Sequence, residues 1–197
     1  MKSHQINKCR ICKTNLNEPF LSLGYLPPAN NLPQNNYEPE DKYPLELVFC
    51  NKCKLVQLNY VVNPEKLFTN YLYSSTSGML ENHFIDYAKN VAQVIGLTQN
   101  SVLVDIGSND GLLLECFKKH ISPNVIGVDP SINLADIANL NNIKTYCEFF
   151  SYQTVKKISE EFGKVDLITA NNVFAHIEDI TNLTINIRTL LKDNGVF

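Results

Sequence analysis

The sequence predicts an α/β chain: a parallel sheet wound with helices, preceded by a small metal-binding segment. Three observations carry that reading. Strand-like and helix-like stretches alternate four times between residues 101 and 197, the pattern of a parallel sheet with right-handed crossovers. The run VLVDIGSNDGLLL, Val102 to Leu114, joins an apolar strand to a helix through a turn of small residues. Two Cys-x-x-Cys pairs, Cys9/Cys12 and Cys50/Cys53, lie ahead of it.

Composition narrows the class. The 197 residues are 44% hydrophobic, enough to bury a core. The net charge of −3 gives no steering toward nucleic acid, and Lys and Arg are scattered. No apolar run approaches the roughly 18 residues that span a bilayer. The first ten residues, MKSHQINKCR, lack the apolar centre of a signal peptide. A cytoplasmic protein is expected, and there six cysteines point to metal or packing rather than disulfides.

Residues 1–62 form the first expected domain. Each Cys-x-x-Cys pair can grip one side of a tetrahedral zinc ion, so Cys9, Cys12, Cys50 and Cys53 are the candidate ligands. Lys8, Arg10, Lys13, Lys52 and Lys54 offset the thiolate charge. Four thiolates leave no open position, which makes the zinc structural. It would also stabilise a segment with too little aliphatic content for its own core. A redox pair and free thiols are the alternatives, and two matched pairs favour zinc over both. Prolines 27, 28, 33, 39 and 44 argue for extended chain between the pairs. Leu45–Phe49 and Leu55–Leu58 read as a hairpin around the second pair. His4 lies in an expected frayed end.

Residues 63–100 form a connector. Asn63-Pro64-Glu65 is a helix start, with a cap, a proline at N1 and an acid in the first turn. A short helix runs from it toward Asn70. A longer one runs from Ser77 to Ile95, with Phe84, Tyr87, Ala88, Val91, Val94 and Ile95 on one face, and Gly96 stops it. Between them lies the polar, aromatic stretch YLYSSTSG, Tyr71 to Gly78, expected over the small-residue turn. Tyr71 and Tyr73 are candidate catalytic residues on the substrate side. Partly buried packing is the open alternative.

Residues 101–197 carry the sheet. The first strand ends at Asp105 and the helix runs from Leu112 to Lys119. Asn124–Val128 is the second strand, Ile132–Leu140 a helix, and Ile143–Tyr146 the third strand. Ser151 caps a helix with Val155, Ile158 and Phe162 inward. Val165–Ala170 is the fourth strand. Asp179 opens a helix with Ile180, Leu183, Ile187 and Leu190 on one face. Asp193-Asn194-Gly195 reads as a turn, and Val196-Phe197 as the start of a fifth strand. The fourth strand is then left as an apolar edge, and the chain reads as a truncated form of a longer protein. Cys116 and Cys147 read as core, and His83 and His120 as surface helix residues.

The turn Gly107-Ser108-Asn109-Asp110-Gly111 presents bare backbone N–H groups at a strand's carboxyl end, where open α/β sheets bind ligands. Asn109 stands where a dinucleotide fingerprint needs its second glycine, which disfavours a nicotinamide-dependent oxidoreductase. No Gly-Lys-Ser/Thr follows, so the phosphate-loop pattern fails too. An acid at the strand end followed by G-x-x-x-G suits a ligand carrying an amine and a ribose. Asp129 closes the next strand about 20 residues on, where a carboxylate can accept ribose hydroxyls. Here the sequence resembles motif I of the class I S-adenosylmethionine methyltransferases. Asp105, Gly107, Ser108, Asn109, Gly111 and Asp129, with Asn171 at the end of the fourth strand, form the candidate cofactor set.

The order CRIC, LGYLPPANNL, YPLELVFCNKCKLVQL, YLYSSTSG, VLVDIGSNDG, GVDPS, ITANNVFAHIED spans nearly the whole chain. It resembles the zinc-containing nucleotide-sugar C-methyltransferases of branched deoxysugar pathways. The resemblance implies a small zinc-binding domain, a seven-stranded methyltransferase domain with its last strand pair antiparallel, and a further domain completing the substrate site. The implied substrate is a 4-keto sugar nucleotide. A base takes the acidic proton beside the ketone, and the resulting carbon nucleophile attacks the methyl of S-adenosylmethionine. His176, after the fourth strand, is the candidate base or hydrogen-bond donor. In the family a Tyr-Glu-His cluster lies beyond the matching point of Phe197, which casts His176 in the supporting role. A non-enzymatic zinc and Rossmann-like binding module is the alternative from another class.

Overall fold

A computed structural model of the chain describes residues 2–29, 31–33, 35, 37–75 and 80–197. It divides into two compact units, Met1–Asn70 with Glu178–Thr181, and Tyr71–Ile177 with Asn182–Phe197.

The N-terminal unit is built from five short strands, β1 (His4–Gln5), β2 (Leu21–Leu26), β3 (Tyr43–Phe49), β4 (Val56–Leu58) and β5 (Tyr60–Val61), and helix α1 (Pro64–Phe68). The expected hairpin is β3–β4, in register at Val48↔Gln57. Val48 and Gln57 are the buried residues of that pair, on the face opposite Leu47 and Leu58. In α1 the Asn63 side chain accepts the Glu65 N–H at 3.1 Å, as the cap motif predicts. Three strands, β1, β2 and β5, were not legible locally. β2 pairs antiparallel with β3, with an irregularity between Ser22 and Tyr25 around Gly24, whose φ is +80°. β1 pairs with β5, so His4 is not frayed: it sits opposite Val61. Both pairings join residues far apart in sequence, where hydrophobic periodicity carries no signal.

The second unit opens with α2 (Glu81–Ile95), capped by left-handed Gly96. The expected start at Ser77 falls among residues 76–79, outside the described residues. There follow β6 (Leu103–Ile106), α3 (Leu112–His120), β7 (Val125–Val128), α4 (Ile132–Leu140), β8 (Thr145–Tyr146), α5 (Tyr152–Phe162), β9 (Val165–Thr169), a 3-10 turn (Phe174–His176), α6 (Ile180–Leu190) and β10 (Leu191–Val196). Ser151 and Thr154 form a reciprocal capping box at the start of α5. The strands make one parallel sheet in the order β10-β9-β6-β7-β8. Successive residues point to opposite faces, and both faces are covered. Val104, Ile126 and Ile168 meet Val155, Ile158, Leu183 and Ile187 on one side. Leu103, Val125 and Leu167 meet Ala88, Leu113, Leu114 and Phe117 on the other.

Two expectations are corrected. The fifth strand does not begin at Val196; it runs from Leu191, parallel to β9, with Leu191↔Val165 and Val196↔Leu167 in register. The residues between these pairs make an irregularity in the strand rather than a separate turn. β9 is therefore flanked by β6 and β10 and is not an edge. Cys147 is exposed, not core, because it follows the two-residue edge strand β8. Cys116 is buried in the α3 face as expected.

Candidate cofactor crevice and thiolate cluster

Three left-handed residues shape the turn after β6: Gly107 (φ +69°), Asn109 (φ +55°) and Gly111 (φ +83°). The Gly107 N–H donates to the Val128 carbonyl at 2.7 Å, which carries the β6–β7 ladder into the turn. A Cβ at Gly107 would lie 2.4 Å from Val173 Cγ2, so glycine is required there by a neighbouring side chain. Ser108 turns its hydroxyl inward: a Cβ at Gly127 would meet Ser108 Oγ at 2.5 Å. That buried oxygen has no hydrogen-bond partner among the described residues.

The two carboxylates at the strand ends are both buried. Asp105 Oδ1 accepts the Thr169 hydroxyl at 2.6 Å, across to the end of β9. Burial pushes the Asp105 carboxyl up to about 7, with the Thr169 hydrogen bond opposing and the charge of Asp129 reinforcing. Asp129 accepts the Asn109 N–H on Oδ2 and the Ser131 N–H on Oδ1, each at 2.8 Å. Each carboxylate oxygen has two lone pairs, so both oxygens keep acceptor capacity for hydroxyls. Thr169 carried no sequence signal, because its partner comes from a strand 64 residues away.

The segment Tyr71–Ser75 lies against this turn. Tyr73 O accepts the Asn109 Nδ2–H at 2.8 Å, and the Ser75 N–H donates to Asn109 Oδ1 at 3.0 Å. The Ser74 hydroxyl donates to Asp110 Oδ2 at 2.5 Å. Tyr71 exchanges two bonds with Asn133 near the start of α4: its N–H donates to Oδ1 at 3.2 Å, and its carbonyl accepts Nδ2–H at 2.8 Å. Asn133 and Asp110 were not singled out in the sequence. Tyr73 is exposed and Tyr71 half-buried. Residues 76–78 of the stretch fall outside the described residues.

Asn171 and His176 belong to the segment after β9. Both are exposed, and His176 ends the 3-10 turn with its N–H on the Val173 carbonyl. Burial raises the Tyr87 phenol of α2, which Asn171 faces, above its ordinary range. Thr169, Asn171 and Tyr87 also line a cavity of about 440 Å³ between α2 and the β9–β10 edge.

The thiolate cluster is complete in the N-terminal unit. The Sγ atoms of Cys9, Cys12, Cys50 and Cys53 lie within 4.8 Å of one another, with Cys9–Cys53 and Cys12–Cys50 each at 3.4 Å. A tetrahedron with Zn–S bonds near 2.3 Å has edges of about 3.8 Å, so the donor set fits zinc. Both turns share one conformation. The lysine after each pair is left-handed, with φ +59° at Lys13 and +66° at Lys54. Lys13 N–H bonds the Cys9 carbonyl and Lys54 N–H the Cys50 carbonyl. Each ammonium folds back onto its own turn, Lys13 on Arg10 O and Lys54 on Asn51 O. Hydrogen bonds to Thr14 bring the Cys12 thiol down to about 6, while against the backbone bond at Leu55 the Cys53 thiol is pushed up to about 11 by burial and the bonds to Cys9, Cys50 and Cys12.

Comparison with known proteins agrees with both halves. Residues 9–68 match a family described as a zinc binding domain, and residues 79–197 match a methyltransferase domain family. The chain is 33% identical over 195 residues to the C-methyltransferase NovU of Streptomyces niveus, covering 98% of this chain and 46% of that protein. It is 31% identical over 113 residues to a ubiquinone biosynthesis O-methyltransferase of Coxiella burnetii, covering 54% of this chain and 45% of that one. The chain thus spans about half the length of the curated relatives it matches. A SAM-dependent methyltransferase of Anabaena variabilis matches with a TM-score of 0.49 at 19% identity, covering 59% of this chain and 49% of that one. The second unit has the class I S-adenosylmethionine methyltransferase fold, whose cofactor suits the crevice described.

Proposed function

We propose, for a chain that belongs to the methyltransferase domain family through residues 79–197, that it is a S-adenosylmethionine-dependent C-methyltransferase acting on a 4-keto deoxysugar nucleotide. The observation that supports this best is the seating of Tyr71–Ser75 on the turn between Asp105 and Asp129, which joins an acceptor-side segment to a cofactor-side turn. The likeness to a C-methyltransferase across both units supports the choice of carbon over oxygen. S-adenosylmethionine supplies the methyl group when bound. Asp129 takes the ribose hydroxyls on its remaining lone pairs, and Asp105 faces the amino-acid end. Tyr71 and Tyr73 orient the keto sugar, and His176 donates a hydrogen bond to the enolate oxygen that forms when a general base takes the proton of the adjacent C–H; the family resemblance assigns that base to the Tyr-Glu-His cluster beyond the matching point of Phe197. Zinc on Cys9, Cys12, Cys50 and Cys53 holds the N-terminal unit and takes no part in the chemistry.

Isothermal titration with S-adenosylhomocysteine is expected to give saturable heat. Asp129→Ala should weaken it by about 1–3 kcal/mol, the worth of buried hydrogen bonds to a charged acceptor. Absence of heat with folded wild-type protein overturns the cofactor reading. Incubation with labelled cofactor and a nucleoside diphosphate 4-keto-6-deoxysugar should place the label on carbon. An O-methyl product would overturn the C-methylation while leaving the cofactor reading in place.

A further inference from the structure

Asn109 stands at the position where a glycine-rich turn ordinarily has no side chain, and its amide bonds backbone through both its oxygen and its nitrogen. Its backbone N–H bonds Asp129 Oδ2, its Nδ2 bonds the Tyr73 carbonyl, and its Oδ1 accepts the Ser75 and Asp110 N–H groups, the last at 2.9 Å. Asn133, at the second position of α4, grips the Tyr71 backbone in the same two-way manner. Each amide meets both a donor and an acceptor, so only one orientation of each satisfies its partners. Both asparagines hold backbone alone, which leaves the Tyr71 and Tyr73 rings to their own contacts. Asn109 comes from the turn after β6 and Asn133 from the first turn of helix α4.

We propose that Asn109 and Asn133 are positioning residues that fasten the segment Tyr71–Ser75 to the turn after β6 and to the start of α4, so that the acceptor-side tyrosines are set by the cofactor-side elements. This rests on the reading of that turn as the cofactor site. The fastening also couples the two ligands. Asn109 bonds the segment through its side chain and Asp129 through its backbone, so a ligand that settles on Asp129 restrains the latch as well. The coupling is reciprocal: ordering the segment tightens the cofactor site by the same factor.

The test is residue-resolved amide exchange by NMR on the full chain, with and without excess S-adenosylhomocysteine. Asn109→Gly suits it, because glycine adopts φ +55° without strain and removes only the amide. In that variant the Ser75 amide should exchange about three- to tenfold faster, the worth of one hydrogen bond, while the Tyr71 amide is spared. Asn133→Ala should give the reverse, freeing Tyr71 and sparing Ser75. Asn109→Asp keeps an acceptor for Ser75 but turns a second oxygen on the Tyr73 carbonyl, so protection at Ser75 should return only in part. In the wild type the homologue should slow exchange at Ser75, and in Asn109→Gly it should not. Fluorine resonances of 3-fluorotyrosine at positions 71 and 73 should shift in both variants. Wild-type exchange at Tyr71 and Ser75 in both variants overturns the proposal, and so does uniform loosening in either. If the homologue fails to bind wild type, the cofactor reading fails, and the ligand-free comparison still decides the latch.

Discussion

Under the proposed function, Asp105 carries a conflict between folding, which favours the neutral acid, and binding of the cofactor's amine, which favours the charged one. It is buried against Thr169 with its carboxyl pushed up to about 7, from an ordinary value of 3.8. Between those values the unfolded chain has released the proton and the folded chain keeps it. Stability therefore falls as pH rises from about 4 to 7 and levels off above, by at most about 4 kcal/mol from this group. Asp105→Asn retains an acceptor for the Thr169 hydroxyl and removes the titration. The variant should match wild type near pH 4 and be more stable at pH 8 by about 1–4 kcal/mol in urea unfolding. It should also lose affinity for S-adenosylhomocysteine, whose amine needs the charge. Parallel pH profiles for the two proteins would show that Asp105 does not titrate in this window. At this scale the sequence exposed what is local: an acid ending an apolar run, a glycine after it, a second acid ending the next run. It hid what is paired at a distance, which is why Thr169 and Asn133 emerged only with the fold.

Elements were legible where their signals were local. Ser151, Asn63-Pro64 and Gly96 mark helix ends because a cap acts on backbone within one turn of itself. β1, β2 and β5 were missed because their partners lie far along the chain, and β10 was obscured by Asp193-Asn194-Gly195. That triplet is compatible with a turn, yet the chain runs through it and resumes pairing at Val196. Gly195 is what permits this: an added Cβ would lie 2.9 Å from the Val165 carbonyl oxygen and 2.9 Å from Leu191 Cδ2. A backbone atom cannot step aside as a flexible side chain can. Gly195→Ala should therefore cost about 1–3 kcal/mol, in the range of overpacking. It should unzip the carboxyl half of β10 first, read as faster amide exchange at Val196 than at Leu191. Equal protection at both, with unchanged urea midpoint, would mean the irregularity has room that the glycine geometry denies.

For the molecule as a whole, the order of parts was readable and the source of stability differs between them. The second unit buries contiguous apolar clusters on both faces of its sheet, from Val104 and Ile168 to Leu103 and Phe117. Among the described residues the N-terminal unit has no such interior: its buried apolar side chains include Cys9, Val48 and Cys50, two of them from the four-cysteine cluster, while Leu23, Tyr25 and Val56 stand exposed. Binding free energy of a structural zinc is then folding free energy for that unit. A strong chelator should leave most of the helical circular dichroism, since α2 to α6 lie beyond residue 70 and, among the described residues, five-residue α1 is the one helix before it. The same treatment should open residues 1–70 to protease and leave a resistant product starting near Tyr71. Cys50→Ser should behave like the chelated wild type without any chelator. Loss of helical signal in step with protease opening would mean that the sheet unit depends on the metal as well. Resistance of residues 1–70 in both samples would mean that the four thiols hold the unit without it.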